Sequence, residues 1–138
     1  MKAQFALCAQ SASIDRATNR VSIFNVVDHI PASNFPLTVP AIAFVSVIES
    51  NSSGEFNVKG TLEIETSGSS VGKFDVPINF SNGRLARIVV NINGLTIRNP
   101  GPVTFRLTIP NGVAAETTFQ AINVQPHEAL AIPPAGSR

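Results

Sequence analysis

Strict alternation of apolar and polar residues over four long stretches most narrows what this chain can fold into. The apolar sets are Phe56, Val58, Leu62 and Ile64; Phe74, Val76, Ile78 and Phe80; Ile88, Val90 and Ile92; and Val103, Phe105, Leu107 and Ile109. Successive side chains of a strand point to opposite faces, so each stretch reads as a β-strand with one buried side. The intervening Asn57, Lys59, Glu63, Glu65, Lys73, Asp75, Asn79, Arg87, Asn91, Thr104, Arg106 and Thr108 then mark the solvent faces. Amphipathic helical spacing is absent.

Turn chemistry divides these strands. Asn82-Gly83 and Asn111-Gly112 predict type I′ hairpins, because both residue types tolerate positive φ. The segments 15–20, 50–55 and 66–72 read as looser polar connections, the last a mobile loop rich in Gly and Ser. Asn93-Gly94 falls inside a strand pattern and predicts a bulge. Pro31, Pro36 and Pro40, and the run from Arg98 to Pro102, lack ladder donors and predict crossovers between sheets. About eight strands at this spacing predict a two-sheet antiparallel β-sandwich of immunoglobulin-like type over residues 1–124, followed by an extended Pro-rich tail over 125–138.

Composition removes several functions. Ten Lys and Arg against nine Asp and Glu leave a formal charge of +1, too little for a basic footprint on nucleic acid or acidic lipid. Cys8 is the single cysteine, so no disulfide forms within the chain. The absence of a long apolar run argues against a helical membrane span. Lys2 precedes an apolar stretch that ends at Leu7, shorter than a signal peptide requires; residues 1–13 therefore read as a first strand and the expected location is cytoplasmic. The aromatic residues are nine Phe with no Trp or Tyr, which disfavours sugar and base platforms.

Phe5-Ala-Leu-Cys8, Ile14-Asp15, the run Val21 to Ile30 and Phe35-Pro36 together resemble the opening of an uncharacterised bacterial and phage family of β-sandwich domains. The segment Leu95 to Gly101, with Phe105 to Ile109 and Asn111-Gly112, is similar to that family's closing hairpin. The resemblance spans Phe5 to about Val124 and departs at Val103, where an aromatic residue is common. It implies a fold and carries no catalytic residues.

Candidate chemistry is sparse. Gly68-Ser-Ser70-Val-Gly72 fits the nucleophile-elbow pattern, and Ser70, Asp75 and His127 follow triad order, but the segment joins two alternating strands where an elbow needs a strand feeding a helix. Cys8, His29 and His127 are too dispersed to predict a metal site, and the carboxylates do not form a calcium loop. The expectation is a non-enzymatic protein with no cofactor and no metal.

The functional expectation comes from two runs that break the alternation. Residues 21–27 and 41–48 are apolar on both faces, so Phe24, Val26, Val45 and Val47 would form an outward patch that needs a cover. A second copy of the chain is the leading cover, giving a homo-oligomer; the chain's own tail or crossover loop is the competing one. Leu130 and Ile132, spaced by two in the tail, would dock near Val45 and Val47. The alternative function is an anionic-ligand module built on Arg84, Arg87, Arg98 and Arg106, unless Glu49, Glu63 or Glu65 pairs with them across strands.

Overall fold

A computed structural model describes residues 1–50, 56–80 and 84–124. The described residues form nine strands: β1 (Lys2–Ile14), β2 (Val21–Val27), β3 (His29–Ala32), β4 (Leu37–Glu49), β5 (Asn57–Thr66), β6 (Ser69–Asn79), β7 (Leu85–Ile97), β8 (Gly101–Ile109) and β9 (Gly112–Asn123). They make a four-stranded sheet in the order β2-β1-β4-β7 and a five-stranded sheet in the order β3-β9-β8-β5-β6. The links β4 to β5, β6 to β7 and β7 to β8 change sheet, while β5–β6 and β8–β9 are hairpins. That is the Greek-key connectivity of an immunoglobulin-like sandwich.

The inner faces follow the alternation. Ile42, Phe44 and Ile48 of β4 meet Leu62, Ile64, Val103, Phe105 and Leu107 of the other sheet in one buried cluster. Phe44 and Phe105 stack across the sheets with ring centroids 6.1 Å apart and planes 4° from parallel, and Phe105 also meets Phe119 at 6.2 Å. Ser46 is the buried polar residue on β4's inner side, and its hydroxyl donates to the Phe5 carbonyl at 2.8 Å. Between the inward residues Val58 and Leu62, β5 carries Gly60. A Cβ there would stand 2.9 Å from Ile78 Cδ1 and 3.0 Å from the Val76 carbonyl oxygen, so β5 and β6 close only over a hydrogen.

Several details differ from the sequence reading. The run 21–32 divides at Asp28 into β2 and β3, which lie in different sheets, so there are nine strands. β3 pairs in parallel with β9, an exception to the antiparallel pattern that arises because a sheet change rather than a hairpin brings β3 to that edge. Pro31 sits within β3, where an edge strand tolerates its missing donor. The type I′ turn occurs at Ser67 and Gly68, both at positive φ (51° and 85°), which makes segment 66–72 a tight β5–β6 hairpin in place of a loose loop. The β8–β9 hairpin turns through Pro110 and Asn111, where proline forbids the first I′ position, and the positive φ falls on Gly112. Asn82-Gly83 lies outside the described residues, and the strands β6 and β7 on either side of it belong to different sheets.

Asn93-Gly94 is not a one-strand bulge either. Gly94 takes φ 80°, and the buried set of β7 changes step from Ala86, Ile88 and Ile92 to Leu95 and Ile97. The register with β4 is unbroken, Ala41 opposite Asn93 and Val39 opposite Leu95, because β4 changes step at Pro40 as well. Two strands thus exchange faces together. A related break falls in the β1–β2 hairpin, where Asn25 takes φ 56° and its amide donates to Gln10 Oε1 at 2.6 Å. Pairing of β1 with β4 stops at Ala9 opposite Ala43, while pairing with β2 continues to Ile14 opposite Val21.

That hairpin bends sharply. A straight β1 would carry Ile14 level with Thr96 of β7, by the registers on either side of β4. Ile14 instead shares a cleft of about 390 Å³ with Arg87, Val89 and Asn91 of β7 and with residues 75–77 of β6. The distal half of the hairpin therefore turns back across the outer face of β4.

Two substitutions test the packing by chemical denaturation. Phe105→Ala should cost about 3–5 kcal/mol through the void it leaves between the sheets. Gly60→Ala should cost about 1–3 kcal/mol by overpacking. Losses under 1 kcal/mol at both positions would contradict this core.

Candidate functional site

The sandwich has an open side where β6 ends one sheet and β7 ends the other. Between them runs a groove of about 960 Å³. Its β6 bank carries Ser69, Ser70, Val71 and Phe74; its β7 bank carries Asn91, Asn93, Leu95 and Thr96; Arg98 and Asn99 stand at one end. The β5–β6 turn places the serines; alternation with Ile88 and Ile92 turns Asn91 and Asn93 outward, and the step at Gly94 brings Leu95 and Ile97 inward. Val71 and Phe74 are 42% and 39% exposed, giving the groove apolar surface among its amides and hydroxyls. Arg98 is the one charged residue among those lining it, and it pairs with no described carboxylate. Sequence reasoning singled out Arg98 but missed the groove, because only the topology shows that β6 and β7 are both edges.

The other three arginines are not brought to Arg98. Arg106 lies on the outer face of the five-stranded sheet, its Nε donating to Glu116 Oε2 and its Nη1 to Glu65 Oε1, each at 2.6 Å. Glu63 Oε1 lies 3.9 Å from the same Nη1 and its Oε2 lies 3.9 Å from Lys73 Nζ. Glu116 and Glu65 push the guanidinium's pKa further up, its hydrogen bond to Glu116 contributing most. Three carboxylates around Arg106 and Lys73 leave no room for an anion by charge, as the cross-strand alternative anticipated. Arg87 lies opposite Val47 on the outer face of the other sheet. Arg84 donates from Nε to the Ser50 carbonyl at 3.3 Å, closing the β4 end onto the start of β7.

The apolar quartet separates as well. Val45 and Val47 are buried at 0% and 7% exposure, while Phe24 and Val26 on β2 are each 59% exposed. Val45 lies between Leu7 and Val89 on a face that the hairpin overlies, so the chain supplies its own cover there. Leu130 and Ile132, like His127, lie outside the described residues.

The remaining chemical candidates stay apart. Ser70 is an exposed residue of β6 in the β5–β6 hairpin. His29 Nδ1 is 2.8 Å from Asp28 Oδ1 at the exposed sheet change, and Cys8 is buried in the core. No three metal-ligating side chains converge among the described residues. No helix is long and apolar enough to cross a membrane among them. Burial pushes the Cys8 thiol up to about 12, far from a reactive thiolate.

Residues 4–122 match a family described as a family of unknown function, DUF6941, and the chain belongs to it. None of the curated proteins compared with the chain matches it.

Two measurements follow from these environments. With its thiol held protonated, Cys8 should resist Ellman's reagent at pH 8 in the native state and react once denaturant is added; prompt native reaction would show that β1 does not seal the core. Arg106→Ala should lower the melting temperature by leaving Glu63, Glu65 and Glu116 to repel one another, and added salt should shrink the loss. A salt-independent loss would assign the effect to packing.

Proposed function

We propose that this chain is a non-enzymatic protein-interaction module that associates with itself. The observation that carries the proposal is the pair Phe24 and Val26, exposed on β2, a strand that ends its sheet. A free edge offers unpaired backbone groups, and two large apolar side chains beside it add surface whose burial is favourable. Phe5, 37% exposed on β1, is a further exposed apolar side chain of the same sheet. The groove supports the non-enzymatic part, since amides, hydroxyls and one guanidinium supply no group that exchanges protons near neutral pH. A bacterial or phage source belongs to the same proposal and rests on the sequence resemblance.

Light scattering across the micromolar range tests the self-association. The wild-type chain should show a concentration-dependent mass above that of one 14.6 kDa chain, and the double substitution Phe24→Ser with Val26→Ser should return it to monomer with little change in melting temperature. A wild-type monomer at every concentration would overturn the proposal.

A further inference from the structure

We propose that the groove between β6 and β7 binds an extended acidic peptide segment, which adds as a strand to the free edge of β7. This site is separate from the β2 surface, so either proposal can fail alone.

The backbone supports strand addition at this place. Among the described residues β7 pairs only with β4, so its residues 91–97 leave one row of N–H and C=O groups unpaired by the fold. Free edges are ordinarily guarded by proline, lysine or a covering segment. Pro77 guards the later half of β6, but residues 91–97 of β7 contain neither proline nor lysine. Space is also available: a Cβ built on Gly94 would meet nothing within 4 Å. A strand laid about 4.8 Å beyond β7 would send alternate side chains into the groove, toward the half-exposed Val71 and Phe74.

Charge selects the class of peptide. With Arg98 as the one charged lining residue and no carboxylate beside it, the groove favours a negative group at that end. A guanidinium accepts a carboxylate through two parallel hydrogen bonds, which gives direction as well as attraction. Asn91, Asn93 and Asn99 each offer donors and an acceptor to a polar backbone or side chain.

The test uses a synthetic peptide of alternating threonine and valine, about six residues long, ending in two glutamates. It is titrated into isotope-labelled full-length chain while amide chemical shifts are recorded. Saturable shifts should concentrate on residues 91–98 and 69–74. Arg98→Ser should weaken binding about tenfold or more with an unchanged melt, and Arg98→Lys should recover part of the loss. Replacing the glutamates with lysine, or methylating alternate peptide nitrogens, should abolish binding. The proposal is overturned if millimolar peptide leaves those amides unmoved, if the methylated or lysine peptide binds equally well, or if acetate alone reproduces the shifts and shows a small-anion site.

Discussion

The contact on which the architecture depends is the stack of Phe44 on Phe105. It joins the middle of the four-stranded sheet to the middle of the five-stranded one, and Phe119 widens it toward β9. All three rings are buried among aliphatic side chains, so the two sheets can separate only by exposing a large continuous apolar surface. A chain with one buried cysteine and no disulfide has this burial as its chief source of cohesion.

Everything outside the stack follows from where the strands stop obeying a single face. β4 is buried on both sides from Ile42 to Ile48 because the sandwich covers one side and the β1–β2 hairpin crosses the other. The hairpin can cross because pairing with β4 ends at Ala9 and Asn25 adopts a left-handed conformation opposite Gln10. At the other end of β4, Pro40 and Gly94 change step together, which keeps the ladder in register while the buried set moves by one residue. Ahead of that step Asn91 and Asn93 alternate outward with Ile92 and form the amide bank of the groove.

Much of this was legible in the sequence where alternation was regular. Val103, Phe105, Leu107 and Ile109 are inward as the period requires, and Glu63, Glu65 and Arg106 meet on the opposite face by the same rule. The double-sided character of residues 41–48 was legible too, but its cover was not, since no local pattern reveals that a hairpin will fold over its own sheet. Turn assignment failed where residue type alone was used: Ser67-Gly68 adopts the positive φ values that Asn-Gly was expected to supply. The four arginines looked like one group because they are close in sequence. β7 and β8 lie in different sheets, and that places Arg87 and Arg106 on opposite outer faces.

The structural claim on which the groove rests is that the sandwich is open between β6 and β7. Residue-resolved native-state hydrogen exchange tests the claim most directly. Amides of β4, paired on both sides and buried, should exchange only by near-global unfolding, while alternate amides of β7 from Asn91 to Thr96 should exchange quickly because they face the groove. Uniform strong protection along β7, equal to that of β4, would contradict the account by showing that its edge is already covered.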